Sequence, residues 1–282
     1  MKPFLKWAGG KRQLLPYIKK FINDKSISNV KYFESFLGGG SVFFELAHDN
    51  WIINDLNNEI INCFKVIKNK PEELIKKLNQ HKKNHNKEYF YKIRELDRNV
   101  EKFKKMSAVS KAARTIYLNR TCYNGLYRVN RSGFFNTPIG RYTNPLICDE
   151  QNIREISKYL NDNNIVFLHV DFEKSVKSAK SGDWVYFDPP YDYEDTGFVG
   201  YVKEGFTHDD LERLKKTCDK LVLRGCNVLI SNNDTNFVRE LFKSDNYEII
   251  YSTKVIKANR NINSKGSSRR KVDEVLIYGR KK

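Results

Sequence analysis

The sequence predicts an α/β fold, and three observations predict it. A strand–glycine loop–helix–strand unit occupies residues 31–55. Strand-like runs separated by helix return after residue 160. Between them the alternation disappears and apolar residues recur at helical spacing. Together these describe a Rossmann-like sheet with helices on both faces, interrupted by an inserted, mainly helical domain that carries a hairpin. The expected boundaries are 1–56 and 160–282 for the sheet domain and 57–159 for the insertion.

Each element has its own signal. Lys6-Trp7-Ala8-Gly9-Gly10-Lys11 is glycine-punctuated and reads as loop. Leu14 to Phe21 reads as a helix. Lys31 to Phe36 reads as a strand entering Leu37-Gly38-Gly39-Gly40, and Ser41 to Ala47 as the helix that follows. Trp51-Ile52-Ile53-Asn54-Asp55 is a second strand ending on an acid. In residues 57–118, Leu74 and Leu78, then Tyr89, Ile93 and Leu96, mark several helices with solvated, charge-rich faces. Residues 119–145 are rich in Asn, Arg, Gly and aromatics. Asn124-Gly125 and Ser132-Gly133 there signal turns and a hairpin. Strands return at Ile165–Val170, Trp184–Phe187 and Val228–Ser231, with a helix at Asp209–Arg224. A final pair is expected at Tyr247–Val255 and Val272–Gly279.

The chain has 282 residues, a formal charge of +17 and a pI of about 9.5. That excess favours a polyanionic partner, most simply nucleic acid. Lys, Asn and Ile are abundant throughout, as in proteins of A+T-rich genomes, so charge alone does not decide function. The five cysteines are widely spaced and form no C-x-x-C pair. Neither a zinc site nor a disulfide framework is expected, and a reducing cytoplasm fits. No apolar run approaches a membrane span, and no signal peptide is expected before the first element.

The most informative residues are Asp188-Pro189-Pro190-Tyr191. They follow the aromatic, β-branched run Trp184-Val185-Tyr186-Phe187. Two prolines end that strand, because neither donates a ladder hydrogen bond and each restricts φ. The corner falls at a strand's carboxyl end, where open α/β sheets bind ligands. It carries a carboxylate, a proline-restricted carbonyl and an aromatic face. Asp188 and the Pro189 carbonyl can accept both hydrogens of an exocyclic amine, while Tyr191 stacks on the ring. Such bonds draw the amine nitrogen out of conjugation and free its lone pair for attack on an electrophilic methyl group.

Four further constellations accompany it. Phe36-Leu37-Gly38-Gly39-Gly40 sits where a strand meets a helix, and Asp55 follows Gly38 by seventeen positions. That placement suits binding of ribose hydroxyls. The full G-x-G-x-x-G fingerprint is not met, because residue 43 is Phe, so a nucleoside fits better than a pyrophosphate. Asp171-Phe172 closes the Ile165–Val170 strand and suits an adenine. Residues 119–142 interleave Arg, Asn and aromatics. Arg suits guanine edges or phosphates, and Tyr123 suits wedging into an opened base stack. Residues 254–282 hold ten Lys or Arg against Asp273 and Glu274. There, Lys257–Arg260 and Ser264–Lys271 read as a phosphate-facing loop between strands.

Taken together these motifs resemble the Dam family of DNA adenine-N6 methyltransferases over most of the chain. Phe4 to Lys11 is similar to that family's opening motif. Phe36 to Gly40 resembles its F-x-G-x-G cofactor motif, and Asp188 to Tyr191 its catalytic motif. Asn119 through Tyr142 resembles its target-recognition hairpin, and Val272 to Leu276 its closing strand. The motif order is similar to the alpha group of amino-methyltransferases. The resemblance implies a methyltransferase sheet that binds S-adenosylmethionine, with a target-recognition insertion. It implies cofactor contacts by Trp7, Lys11, Phe36, Gly38, Gly40, Asp55, Asp171, Phe172 and Asp188, and no metal. It implies a flipped adenine held by Asp188, Pro189, Pro190 and Tyr191. It places Lys6, Tyr123, Asn124, Leu126, Arg128, Pro138 and Arg141 on duplex DNA, with GATC as the implied target. A cognate restriction endonuclease acting on the same sequence, without physical contact, is also compatible. One departure stands out. Where many family members continue with Pro-Leu-Ser, this chain has Asp192-Tyr193-Glu194-Asp195, three acids set unfavourably beside expected DNA phosphates.

Rival readings remain at this stage. A nicotinamide-dependent dehydrogenase accounts for the Gly turn and Asp55 but not for the Asp-Pro-Pro-Tyr corner. A non-catalytic DNA-binding protein accounts for the charge alone. An adenine methyltransferase acting on RNA, or on another DNA sequence such as GATATC, shares all the motifs.

Overall fold

A computed structural model describes residues 1–7, 11, 13–23, 30–192, 206–243, 246–258 and 272–282. Among them a seven-stranded sheet comprises β1 (Tyr32–Glu34), β2 (Asn50–Asn54), β3 (Asn164–Leu168), β4 (Trp184–Phe187), β5 (Asn227–Asn233), β6 (Ile249–Ala258) and β7 (Val272–Lys281). The helices are α1 (Leu15–Asn23), α2 (Ser41–Leu46), α3 (Asn58–Asn69), α4 (Pro71–Asn84), α5 (Lys87–Arg94), α6 (Val100–Lys104), α7 (Ala108–Thr121), α8 (Glu150–Asp162), α9 (Phe172–Ser175), α10 (His208–Leu223) and α11 (Asn236–Leu241). The expected α/β fold is thus observed, with end points shifted by a few residues.

Strand order is β3-β2-β1-β4-β5-β7-β6. The strands from β3 to β5 pair in parallel, and β7 runs antiparallel between β5 and β6. The chain builds outward in one direction from β1 and in the other from β4. The two strands are neighbours, so the order reverses between them. A crevice opens at that reversal, outside the carboxyl ends of both strands. β1 delivers the Gly turn there and β4 delivers Asp188.

Every residue of β4 is buried. Trp184 and Tyr186 join one apolar cluster, while Val185 and Phe187 join the other. The alternation follows from the two-residue period of a strand covered on both faces. Leu14, Ile18 and the Phe43–Phe44 pair cover the first face; Leu211, Leu214, Cys218 and Val238 cover the second. The first cluster continues without a break through α3, α4, α7 and α8. His81, His85, Tyr89 and Tyr117 tie α4, α5 and α7. His81 Nδ1 lies 2.8 Å from the Tyr89 hydroxyl, and His85 Nδ1 lies 2.9 Å from that of Tyr117. All five cysteines are free and buried. Among the described residues no helix is long and apolar enough to cross a membrane.

The 119–145 stretch differs in detail from its sequence reading. Asn119 and Arg120 belong to the last turn of α7. The hairpin is held by two isolated antiparallel bridges, Cys122 with Ile139 and Val129 with Phe135, not by continuous strands. Its tip is the expected turn. The Asn130 side chain accepts from the Ser132 and Phe134 amides at 3.0 Å each, and Gly133 has φ +81°. Its base is a 3₁₀ turn at Tyr123–Gly125.

Candidate active site and nucleic-acid face

The Asp188 carboxylate is bound from two sides. Lys11 Nζ lies 3.0 Å from Asp188 Oδ1, and the Ser231 hydroxyl donates to the same oxygen at 2.7 Å. Lys11 is 6% exposed, so the pair sits largely out of water and attracts strongly. The Lys11 ammonium also lies 4.4 Å from the centre of the Tyr191 ring, a cation–π contact. The Tyr191 hydroxyl donates to Glu274 Oε2 at 3.3 Å. Burial first, and then the Asp188 charge, hold the Tyr191 phenol well above its ordinary pKa, so it stays neutral. The sequence thus named the acid, the aromatic and the lysine separately, and the fold brings them into contact.

The Gly turn is shaped around Trp7. Gly38 and Gly40 have φ of +51° and +71°, the left-handed region that glycine enters without strain. A Cβ on Gly38 would lie 2.8 Å from the Trp7 ring, and one on Gly39 2.8 Å from the Trp7 Cβ, so that side chain needs bare backbone. Asp55 closes the turn from β2. Its Oδ2 accepts the Gly38 amide and its Oδ1 the Asn57 amide, each at 2.8 Å. Burial raises its pKa to about 6 against those two bonds. Asp171 caps α9 by accepting the Glu173 amide, and its other oxygen pairs with Arg213 at 3.1 Å. Phe172 stacks on Phe36, with ring centres 5.6 Å apart.

Three groups of this crevice escaped the sequence reading. Glu34, at the end of β1, is 3% exposed. The Phe43 amide bonds its carboxyl, while Oε2 has no hydrogen-bond partner among the described residues. Burial, and then the Asp188 charge, raise its pKa well above the carboxylate range. Asn54 staples three segments: its amide donates to the Ser35 and Val170 carbonyls and its oxygen accepts the Val170 amide, each at 3.0 Å. Ser231 is the third. Glu34 had a signal, being an acid immediately before the Gly turn; Asn54 and Ser231 had none beyond lying at strand ends.

The opening segment links the crevice to the hairpin. Asn119, wholly buried, accepts the Lys6 amide at 2.7 Å and donates to the carbonyls of Lys6 and Gly125 at 2.8 and 2.9 Å. Arg120 donates to the Phe4 carbonyl at 2.8 Å. These two residues therefore pin backbone instead of facing a ligand. Gly125 lies so close that a Cβ there would meet Lys6 Cβ at 2.4 Å. The Lys6 ammonium sits 3.9 Å from the Tyr142 ring centre. Within a few residues the segment thus touches the hairpin through Lys6, the Gly turn through Trp7 and Asp188 through Lys11. Gly9 and Gly10 lie outside the described residues.

Tyr123 is 41% exposed. Asn124, Arg128, Pro138 and Arg141 are also exposed, and Leu126 is half-buried. Asn124 adopts φ +53°, a conformation in which Asn is enriched. Arg128 Nε bonds Asn136 Oδ1 at 2.9 Å, across the hairpin. Underneath, buried Asp97 anchors the hairpin: its Oδ2 accepts the Phe135 amide at 2.8 Å and pairs with Arg114 at 2.7 Å.

Asp192 requires a correction. It does not stand beside phosphates, because it is 9% exposed. Its carboxylate accepts from Thr235 Oγ1 at 2.6 Å and lies 2.9 Å from His208 Nε2, and its amide donates to Asn232 at 2.9 Å. A buried acid with this many partners serves packing, not repulsion. Glu194 and Asp195, like Asn259–Lys271, lie outside the described residues.

A crevice at the sheet's reversal point, opening towards a hairpin of exposed arginines and a tyrosine, is the layout of a nucleic-acid-modifying α/β enzyme. The family model for D12 class N6 adenine-specific DNA methyltransferases matches residues 7–262. The chain belongs to this family and is an adenine-specific DNA methyltransferase. It is 44% identical to the type II methyltransferase M1.LlaDCHI of Lactococcus lactis subsp. cremoris, over 99% of this chain and 96% of that protein. It is 40% identical to the type II methyltransferase M.MjaIII of Methanocaldococcus jannaschii, over 98% of each. The DNA adenine methylase of Escherichia coli K12 is 32% identical, over 98% of this chain and 94% of the methylase. The expected Dam resemblance is thereby met.

Proposed function

We propose that the chain transfers a methyl group from S-adenosylmethionine to N6 of a flipped adenine in duplex DNA, within GATC. The observation that carries this reading is the Asp188 carboxylate, held by Lys11 and Ser231 beside the Tyr191 ring at the switch point. The crevice also fits the cofactor chemically. The Asp55 carboxylate suits ribose hydroxyls, the Phe36–Phe172 pair suits an adenine, and the Glu34 oxygen that has no partner among the described residues suits a donor group. Trp7, Lys11, Gly38, Gly40 and Asp171 complete that set. When bound, S-adenosylmethionine supplies an electrophilic methyl group.

The target nitrogen is inaccessible in a stacked duplex, so the adenine is extruded. Tyr191 stacks on it, and Pro189 and Pro190 keep the corner rigid. Asp188 accepts one N6 hydrogen and the Pro189 carbonyl the other, which leaves the lone pair on the reactive face. The proton departs once the nitrogen is cationic, and no covalent enzyme intermediate is needed. Positioning and charge stabilisation supply most of the rate. Residues 1–56 and 160–282 form the catalytic domain; 57–159 reads the target, with Lys6, Tyr123, Asn124, Leu126, Arg128, Pro138 and Arg141 on DNA. Two relatives are named type II methyltransferases, which supports a restriction–modification role with a cognate endonuclease that needs no contact. Free cysteines support a cytoplasmic setting.

Transfer of labelled methyl to unmethylated duplex DNA, with sequencing of modified positions, tests this reading. N6-methyladenine confined to GATC supports it fully. Methyladenine in another context, such as GATATC, keeps the chemistry and moves the error to the reading residues. Methylation of RNA alone, or none, overturns it.

Two predictions follow from individual side chains. Arg128→Ala is expected to relax discrimination at one base by about 1–3 kcal/mol. Uniform weakening on all sequences would instead make Arg128 a phosphate contact. Asp55 sets a pH limit. Its folded pKa, about 6, lies above that of a free carboxylate. It is therefore ionised above that pH and neutral below, where one oxygen no longer accepts freely. Cofactor affinity, measured by calorimetry, is expected to fall as pH drops through about 6. The decline should vanish in Asp55→Asn, and a flat profile in the wild type removes Asp55 from ribose binding.

A further inference from the structure

The two oxygens of Asp188 are not equivalent. The contacts from Lys11 and Ser231 both fall on Oδ1, at 3.0 and 2.7 Å. Among the described residues no side chain hydrogen-bonds Oδ2, which leaves its lone pairs for a ligand. Ser231 in turn lies 2.9 Å from the hydroxyl of Tyr186. Both are interior residues, 0% and 2% exposed.

The direction of this chain of hydrogen bonds can be deduced. An ionised carboxylate only accepts, so Ser231 donates its single hydrogen to Asp188. Ser231 then has only lone pairs to offer Tyr186, and Tyr186 must donate to it. Burial and the Asp188 charge hold the Tyr186 phenol well above its ordinary pKa, so that hydrogen is retained. The order is Tyr186 to Ser231 to Asp188. Hydrogen bonds aligned in this way strengthen one another.

Strand register explains why these residues meet. Phe187 of β4 pairs with Ile230 of β5, so the residues that follow, Asp188 and Ser231, are neighbours. Tyr186 precedes Asp188 by two positions and shares its side of the strand. Lys11, by contrast, reaches Asp188 on a four-carbon stem from a loop, and an ammonium is a point charge without angular preference. A short hydroxyl on a central strand restricts a carboxylate's rotation far better.

We infer that Ser231, oriented by Tyr186, is a positioning residue for methyl transfer: it holds Asp188 Oδ1 so that Oδ2 is presented to the amine of the target base. This rests on Asp188 being the acceptor of the N6 hydrogen.

The test compares Asp188→Ala, Ser231→Ala, Tyr186→Phe and the Tyr186→Phe/Ser231→Ala double variant of the full chain. Labelled S-adenosylmethionine and an unmethylated duplex that the wild type modifies are the substrates, with kcat, KM and Tm as readouts. Ser231→Ala is expected to lower kcat by about 10- to 100-fold, the scale of a misplaced catalytic group. KM for DNA should stay within about twofold, as for an interaction made mainly in the transition state. Tyr186→Phe, which removes one oxygen and no bulk, should show a smaller loss in the same direction. The double variant should be no worse than Ser231→Ala alone, since both act through one chain.

Wild-type kcat in Ser231→Ala overturns the inference, as do losses that multiply in the double variant or a loss carried by KM for DNA instead of kcat. Should Ser231→Ala fail to fold, Tyr186→Phe decides by the same kcat and KM criteria. Activity in Asp188→Ala overturns the reading of the site itself, and the inference with it. Inactive Asp188→Ala beside fully active Ser231→Ala overturns the inference alone.

Discussion

Asp188→Ala is expected to lower methyl transfer by at least about 1,000-fold while leaving duplex binding largely intact. The carboxylate is the one group at the β4 corner that can accept an N6 hydrogen and also answer the buried Lys11 charge, 3.0 Å away. Its removal leaves the Tyr191 ring and the Pro189 carbonyl, which can hold a base but cannot orient its lone pair alone. The truncation also takes a partner from Lys11 and from Ser231, so folding must be checked by Tm. Asp188→Asn is the companion variant, because it keeps the volume and an oxygen for Ser231. Both should retain duplex binding, because the proposed DNA contacts Tyr123, Arg128 and Arg141 lie in the exposed 119–142 stretch and not at the β4 corner. Near wild-type turnover in either variant would remove Asp188 from the chemistry.

Asp97→Ala is expected to destabilise the protein by about 3–5 kcal/mol, the cost of breaking a buried ion pair by removing one partner. Asp97 is 8% exposed and pairs with Arg114 at 2.7 Å and Arg98 at 2.5 Å. It also accepts the Phe135 amide at 2.8 Å, and Arg98 donates to the Phe135 carbonyl at 2.8 Å. The variant therefore takes the paired carboxylate from the buried Arg114 guanidinium and leaves the Phe135 amide of the hairpin without its acceptor. Denaturant unfolding should show the loss of stability, with weaker DNA binding at temperatures where the chain is still folded. A change under about 1 kcal/mol would mean that water replaces the carboxylate readily and that the hairpin is held elsewhere.

Much of this architecture was legible because it is local. The strand β4 ends at Phe187 as expected, since two prolines terminate any ladder. The Gly turn was readable because three consecutive glycines before an apolar helix have few other uses. The helices of residues 57–118 followed from apolar spacing. Where the reading departed from the structure, partners distant in sequence decided. Asn119 and Arg120 read as the start of the target-recognition hairpin. Instead they end α7 and pin the main chain of Lys6 and Phe4, more than 110 positions away. Asp192 looked like an exposed acid, but its partners Thr235 and His208 come from later elements.

By itself, the sequence determined the α/β class, the Asp-Pro-Pro-Tyr corner, the glycine turn with its following acid, and the hairpin's turns. Each rests on backbone restrictions or on periodicity, which act within a few residues. Tertiary structure alone decided which oxygen of Asp188 is bound, that Glu34, Asn54 and Ser231 belong to the crevice, and that one short segment carries Lys6, Trp7 and Lys11 to three separate parts of the site. Those outcomes depend on strand register and on hydrogen bonds between residues far apart in the chain. Such bonds form only when burial removes water as the competing partner, and no local pattern in the sequence encodes that.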